Sequence, residues 1–127
     1  MAALNKILVL NGLLVSLGFA AHADDGTATF YTIFNPSACY GFGTPTSMVA
    51  AARAEIFQDG AACFTKYSIS CTDGTNLGTS HPCTGGSVEV EIVDLCKDCR
   101  GTFDLSQDAF AAIADLNAGK ILIEYDQ

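Results

Sequence analysis

The sequence is poor in basic residues, and this shortage narrows the possible partners. Six lysines and arginines stand against fourteen acidic residues, so the formal net charge is −8. A chain with this charge balance would repel the phosphate backbone of a nucleic acid, and also an anionic membrane surface. We therefore expect no nucleic acid partner. A neutral partner, such as a glycan or a receptor ectodomain, is compatible with the charge.

Apolar runs long enough to cross a bilayer are also missing. The longest apolar run, residues 7–20, is shorter than the roughly 20 residues of a membrane helix, and it follows the positive charge of Lys6. Ala21-His22-Ala23 ends the run with the small-x-small pattern of a signal-peptide cleavage site. The sequence therefore predicts a signal peptide at residues 1–23, no membrane insertion, and a secreted, extracellular single domain at residues 24–127.

Histidine is scarce and tryptophan is absent. His81 is the one histidine after residue 23, and residues 96–99 are the one Cys-x-x-Cys pair, so the ligand spacing of a zinc site is not found. A redox role for this pair is disfavoured because Asp94 and Asp98, only partly offset by nearby basic residues, would destabilise a thiolate. We expect no metal and no other cofactor. The lack of tryptophan also argues against a strong sugar-stacking surface.

Cysteine, by contrast, is plentiful, and all six cysteines lie after residue 23. An even number of cysteines in an exported chain predicts three disulfides and no free thiol. Such cross-links suit a domain of this length, which buries only a modest core. Six cysteines allow 15 connectivities, and spacing alone does not select one. The cysteines are Cys39, Cys63, Cys71, Cys83, Cys96 and Cys99.

Short segments separated by turn residues predict a mainly β domain. Alternation of Val88, Val90 and Ile92 with glutamates predicts the clearest strand, and Ser106 is a suitable N-cap for a helix. Many short strands with two short helices favour a small closed barrel, because closure removes unpaired strand edges. The predicted elements are strands at 27–34, 66–70, 87–94 and 120–125, helices at 47–57 (with Ser47 as N-cap) and 106–115, and a loop at 72–87.

A series of motifs resembles the expansin and family-45 endoglucanase domain, in the same order along the chain. The motifs are Gly26-Thr27-Ala28-Thr29-Phe30-Tyr31, Ala38-Cys39-Tyr40-Gly41, Asp59-Gly60-Ala61-Ala62-Cys63, Val93-Asp94-Leu95-Cys96 and Phe103-Asp104-Leu105-Ser106. The chain is most similar to the stand-alone, expansin-like plant natriuretic peptides and blight-associated proteins, which end in a strand like residues 119–125. The resemblance implies a six-stranded double-psi β-barrel. It also implies disulfides Cys39–Cys63, Cys71–Cys83 and Cys96–Cys99.

The same resemblance implies a polysaccharide groove. Thr29 and Tyr31 match residues that line the expansin groove. Asp104 matches the general acid of the endoglucanases, and Asp94 matches a supporting aspartate. Each has an ordinary structural alternative: Tyr31 as a core aromatic, Asp104 as a charge before a helix, and Asp94 as the end of a strand.

Two positions of that groove depart from the pattern. The position of the endoglucanase base is Thr32, and the position of a further groove aromatic is Cys96. Hydrolysis of a glycosidic bond usually needs two carboxyl groups, and loss of a base costs roughly 10² to 10⁴ in rate. We therefore expect no enzyme activity, with Asp104 a vestigial acid.

Three functions are compatible with the sequence. The first is a non-catalytic extracellular signal that acts through a plant cell-surface receptor on water and ion balance. The resemblance places its active segment at residues 30–64. The second is a non-hydrolytic module that binds or loosens cell-wall polysaccharide, and the third is a glycosidase. The sequence favours them in this order, with a monomer in the apoplast. The receptor candidates are Phe30, Tyr40, Arg53, Phe57 and Phe64.

Overall fold

A computed structural model describes residues 23–75 and 78–127, so the predicted signal peptide lies outside the described residues except for Ala23. Six strands close into a barrel in the order β1-β5-β2-β4-β3-β6. The β1/β5 and β2/β4 pairs are parallel and the other four are antiparallel. The six-stranded double-psi barrel is confirmed. The strands are β1 (Asp24–Tyr31), β2 (Val49–Ala52), β3 (Lys66–Gly74), β4 (Ser87–Leu95), β5 (Phe103–Ser106) and β6 (Ile121–Asp126).

Two short α-helices accompany the barrel. They are α1 (Ala54–Phe57) and α2 (Gln107–Ile113), with 3₁₀ turns at Gln58–Gly60 and Leu116–Ala118. The Ser106 hydroxyl accepts a hydrogen bond from the backbone N–H of Ala109, so the predicted N-cap is confirmed. Across residues 23–75 and 78–127, no helix is long and apolar enough to span a membrane.

The core is built from the inward-facing residues of the strands. Val88, Val90 and Ile92 of β4 are buried, whereas Glu89, between Val88 and Val90, is exposed, as the alternation predicts. Phe103 and Leu105 of β5 enter the same core, and α2 adds Phe110. This packing leaves the opposite faces of the strands free to carry polar side chains.

The helix predicted at residues 47–57 is wrong for most of its length. Residues 49–52 are strand β2, which pairs with β4 on one edge and with β5 on the other. Hydrogen bonds on both edges outweigh the helix propensity of the alanines. Ser47 caps no helix, because Met48 has a φ of +47° and is incompatible with a right-handed helix. Only the single turn α1 follows, after Arg53, whose side chain makes no capping bond.

Strand β1 is Asp24–Tyr31, so it begins and ends three residues before the predicted strand at 27–34. Two further segments differ from the prediction. The sequence pattern missed β5, because its four residues are too short to show a period. Strand β3 extends to Gly74, into the segment predicted as a loop, and pairs there with β6. Both differences arise from pairing with strands that are distant in the sequence.

Three disulfides cross-link the described chain, and they are the pairs that the resemblance implies. Cys39–Cys63, Cys71–Cys83 and Cys96–Cys99 have Cα separations of 5.6, 5.3 and 5.2 Å. No cysteine is free. The first disulfide joins residues 24 apart in sequence, and it ties the long loop after β1 to the approach of β3. Such cross-links are typical of proteins that function outside the cell.

Candidate functional site: a polar groove across four strands

A β-bulge in β4 decides where Asp94 points. Ile92 pairs with Ala50, but Asp94 pairs with Ala51, so Val93 has no partner on β2. Strict alternation from the inward-facing Ile92 would turn Asp94 into the core. The extra residue reverses this, and Asp94 faces outward.

Asp94 thereby joins a row of outward-facing residues that crosses four strands. Ala51 lies between Asp94 on β4 and Asp104 on β5, and Asp104 pairs in turn with Thr29 on β1. Adjacent strands are about 4.8 Å apart, so the Cα atoms of the two aspartates are about 10 Å apart. Ala51, the residue between them, has a small side chain that is only 4% exposed. We call the surface formed by Asp94, Ala51, Asp104, Thr29 and Tyr31 the polar groove.

Asp104 is a half-buried carboxyl on β5. Thr29 Oγ1 donates a hydrogen bond to its Oδ1 at 2.9 Å. Burial raises the pKa of Asp104, and the hydrogen bond from Thr29, a smaller effect, lowers it. A raised pKa is a property of general acids. Asp104 is not needed to cap the following helix, because Ser106 is the N-cap residue of α2.

Asp94 is engaged with the backbone. Its Oδ1 accepts hydrogen bonds from the N–H groups of Ala38 and Leu95, both at 2.9 Å. The first of these bonds fixes the long loop after β1 against the edge of the groove. Asp94 is therefore a positioning residue for this loop, and its Oδ1 is less available as a base than a free carboxylate oxygen.

Tyr31 lies on the groove side of β1. Its neighbour Phe30 points the other way and packs on Phe110, with ring centroids 5.0 Å apart. Burial raises the pKa of Tyr31, and the negative charges of Asp94 and Asp104 raise it further. Its hydroxyl oxygen is buried and has no hydrogen-bond partner among the described residues. A buried hydroxyl without a partner is costly, so a water molecule or a polar ligand is expected to hydrogen-bond to this atom.

Thr32 lies just beyond β1 in a neighbouring cavity of about 310 Å³. We call this cavity the Phe34 pocket; it is lined by Thr32, Phe34, Thr46, Gln107 and Asp108. The sequence reasoning missed the last two residues, although their place in the first turn after the Ser106 cap was a usable signal. It also missed Ala51 of the groove, because β2 was predicted as a helix.

Cys96 occupies the other altered position of the groove. It is bonded to Cys99, and its backbone N–H donates to the carbonyl of Ala52 at 2.9 Å. It therefore offers no aromatic ring at this end of the groove. Within the described ranges, no group of histidine, cysteine and carboxylate side chains could hold a metal ion.

The receptor candidates are scattered rather than gathered in one surface. Phe57 is only 6% exposed and belongs to the core, so its assignment as a receptor contact is wrong. Phe30 is also turned toward the core. Tyr40 and Phe64 pack edge to face at 5.1 Å on the surface. Arg53 is exposed directly after the last residue of β2, and its Nε lies 3.2 Å from Oε2 of Glu55.

Two apolar side chains that the sequence reasoning missed stand out in this segment. Ile33 is 82% exposed and Phe42 is 81% exposed. Both lie in the long loop between β1 and β2, which the Cys39–Cys63 disulfide and Asp94 hold in place. Their exposure could not be read from the sequence, because an apolar residue in a loop usually packs inward.

Comparisons with known sequences point to one family. The DPBB_1 family, described as lytic transglycolase, matches residues 49–125. An EG45-like domain containing protein of Citrus jambhiri is 50% identical, over 96% of this chain and 95% of its own. A putative EG45-like domain containing protein 1 of Arabidopsis thaliana is 41% identical, over 94% of this chain and 96% of its own.

Solved structures give the same fold. The apo expansin of Clavibacter michiganensis superimposes with a TM-score of 0.65 and 27% identity, over 83% of this chain. A mutant of that expansin in complex with cellohexaose has a TM-score of 0.63. This chain spans about half the length of those expansins, 50% in each case. It belongs to the EG45-like, expansin-related family of double-psi β-barrel domains.

Proposed function

We propose that this protein is a secreted, non-hydrolytic domain that binds cell-wall polysaccharide in the polar groove. The observation that carries the proposal is the Tyr31 hydroxyl, which is buried beside two carboxylates and has no partner in the described part of the chain. A sugar hydroxyl can both accept from Tyr31 and donate to a carboxylate, so it fits this environment. The cellohexaose complex of the related expansin supports a glycan as the ligand.

The proposed absence of hydrolysis rests on the carboxyl groups that the groove contains. Asp104 has the raised pKa of an acid, but Thr32 cannot act as a base at neutral pH. Asp94 already accepts two backbone hydrogen bonds through one oxygen. Because no carboxyl group stands at the position of the endoglucanase base, the domain is expected to bind the chain and leave its bonds intact. Asp108 also lines the pocket beside Thr32, so its exchange for asparagine is included in the test.

Removing one oxygen atom tests this function. Tyr31→Phe deletes the hydroxyl and keeps the ring, so affinity for cellohexaose should fall about tenfold, the effect of one lost hydrogen bond. The same change should leave the free energy of unfolding equal or higher, because an unpaired buried hydroxyl is removed. Calorimetric titration and denaturant unfolding measure the two quantities.

Asp25→Asn is the matched surface control for Asp104→Asn. Asp25 is exposed at the opposite end of β1, so its change should leave affinity unaltered, whereas Asp104→Asn should weaken binding. Wild-type protein that binds no cellohexaose would contradict the proposed function. Reducing sugar released from soluble cellulose and abolished by Asp104→Asn or Asp108→Asn would contradict the non-hydrolytic assignment.

A second function has its own supporting observation. Ile33 and Phe42 are both exposed on one loop that is held by a disulfide, and exposed apolar side chains on an ordered loop are available to a protein partner. This surface lies in residues 30–64, the segment that resembles the active part of plant natriuretic peptides. The second candidate is therefore an extracellular signal that a plant cell-surface receptor recognises and that alters water and ion homeostasis. Swelling of plant protoplasts by the refolded protein tests it.

A further inference from the structure

The Phe34 pocket adjoins the polar groove through a pair of aromatic rings. The rings of Tyr31 and Phe34 lie with their centroids 5.0 Å apart and are tilted by 54°. Tyr31 belongs to the groove, and Phe34 belongs to the pocket. A polymer that occupies the groove and continues past Tyr31 therefore enters the pocket next.

Three separate parts of the chain build the pocket. Thr32 and Phe34 follow β1, Thr46 precedes β2, and Gln107 and Asp108 begin α2. It is an open depression of about 310 Å³, and four of its five lining residues are exposed. The pocket is therefore suited to a single small unit rather than to a folded partner.

The loop wall of the pocket is held in place before any ligand arrives. Asn35 Oδ1 accepts a hydrogen bond from the backbone N–H of Thr44 at 3.0 Å. The hydroxyls of Ser37 and Thr44 are 2.6 Å apart, and both side chains are buried. Two residues further on, Thr46 lines the pocket. A site that is ordered in advance loses less conformational entropy on binding.

The pocket has the chemistry of a sugar site. The Phe34 ring offers an apolar face for the C–H groups of a pyranose, and it is an aromatic platform at the opposite side of the groove from Cys96. Gln107 and the threonines supply both donors and acceptors, and Asp108 supplies acceptors. The carboxylate of Asp108 adds to those of the polar groove, so a negatively charged sugar would be repelled.

From this arrangement we infer that the Phe34 pocket is an additional subsite, which binds the next unit of a neutral polysaccharide chain and thereby selects neutral glucans over polyuronates. The inference rests on the proposed binding of polysaccharide in the groove. In this arrangement Phe34 supplies the aromatic ring for sugar stacking that Cys96, at the other end of the polar groove, does not supply.

The experiment compares glucan oligomers of increasing length. Phe34→Ala should weaken binding of cellohexaose about 3- to 10-fold, the value of one aromatic contact, and should leave a disaccharide unaffected. Gln107 lies on the exposed first turn of α2. Gln107→Ala should likewise weaken binding of cellohexaose and leave binding of the disaccharide unchanged. Phe42→Ala removes an aromatic ring outside both sites and should change neither affinity. Thermal unfolding checks that each variant is folded.

The outcomes separate this inference from the proposed function. If Tyr31→Phe weakens cellohexaose binding while Phe34→Ala and Gln107→Ala do not, the subsite is refuted and the groove stands. Wild-type protein that binds no glucan overturns both. Binding of oligogalacturonate as tightly as cellohexaose overturns the selection for neutral chains.

Discussion

The polar groove and the loop surface at residues 33–48 lie on one barrel but differ in how they are built. The groove takes its residues from paired strands, and the ladder fixes the positions of Asp94, Ala51 and Asp104. The loop surface presents Ile33 and Phe42, and the loop is held by local hydrogen bonds, by one disulfide and by two backbone N–H donors, those of Ala38 and Cys39, that bond to β4. The difference indicates that the groove is ordered by strand pairing along its whole length, whereas the loop surface depends on a few tethers, of which the disulfide is the covalent one.

The largest expected effect comes from removing that cross-link. The double change Cys39→Ala and Cys63→Ala should lower the free energy of unfolding by roughly 3 kcal/mol, because a long loop is released in the unfolded chain. Cys96→Ala with Cys99→Ala opens a loop of separation 3 and should cost less. Denaturant unfolding measures both.

Loss of the disulfide should affect the function of the loop surface more than glucan binding in the groove. At a temperature where the Cys39 and Cys63 double variant remains folded, its affinity for cellohexaose should fall less than its activity in protoplast swelling. Equal losses would mean that the loop and the groove are one functional unit, and the contrast drawn between them would fail.

A crossed pair of substitutions gives the next largest effect. Phe42→Ala should reduce swelling activity about tenfold if a receptor contacts this ring, since buried aromatic contacts dominate interfaces. It should leave glucan binding unchanged. Asp104→Asn should do the reverse, because its carboxyl lies in the groove and outside the loop.

A cyclised peptide covering residues 30–64 is the control for this crossed pair. The peptide contains the loop surface but lacks β4 and β5, so it cannot form the groove. It should retain part of the swelling activity, with lower potency because the barrel no longer orders it. An inert peptide, together with an inactive but folded Asp104→Asn variant, would assign the swelling activity to the groove.

The sequence predicted the elements that carry their own local signal. Strand β4 shows a clear alternation up to Ile92, and α2 begins at a serine cap, so both were found close to their true bounds. Strands β2 and β5 have four residues each and owe their conformation to partners on both edges. Nothing in their local sequence reports that pairing.

The groove depends on the parts that local patterns could not predict. Ala51 lies on one of the missed strands and Asp104 on the other. The outward direction of Asp94 depends on a bulge at Val93, and periodicity alone would have placed this aspartate in the core. Four of the five groove residues, all except Ala51, were therefore grouped by family resemblance, because no periodicity in the chain could group them.

The smallest expected effect is the pH dependence of stability that Asp104 contributes. Burial raises the pKa of this carboxyl above its unfolded value of 3.8, so the folded state holds the proton more tightly. The free energy of unfolding should therefore fall as pH rises from about 3.8 through the raised pKa, and the ionised group should cost stability above that window. Asp104→Asn carries no charge and can still accept from Thr29. It should be more stable than wild type at pH 7 and equal to it at pH 3. Because Asp104 is partly exposed to water, the difference should be about 0.5 kcal/mol or less.

Thr29→Val provides the companion test, since removing the hydrogen bond that lowers the pKa should raise the pKa of Asp104 further in a carbon-13 titration. An Asp104→Asn variant that is less stable than wild type at pH 7 but not at pH 3 would show that the groove stabilises the carboxylate, contrary to the burial argument.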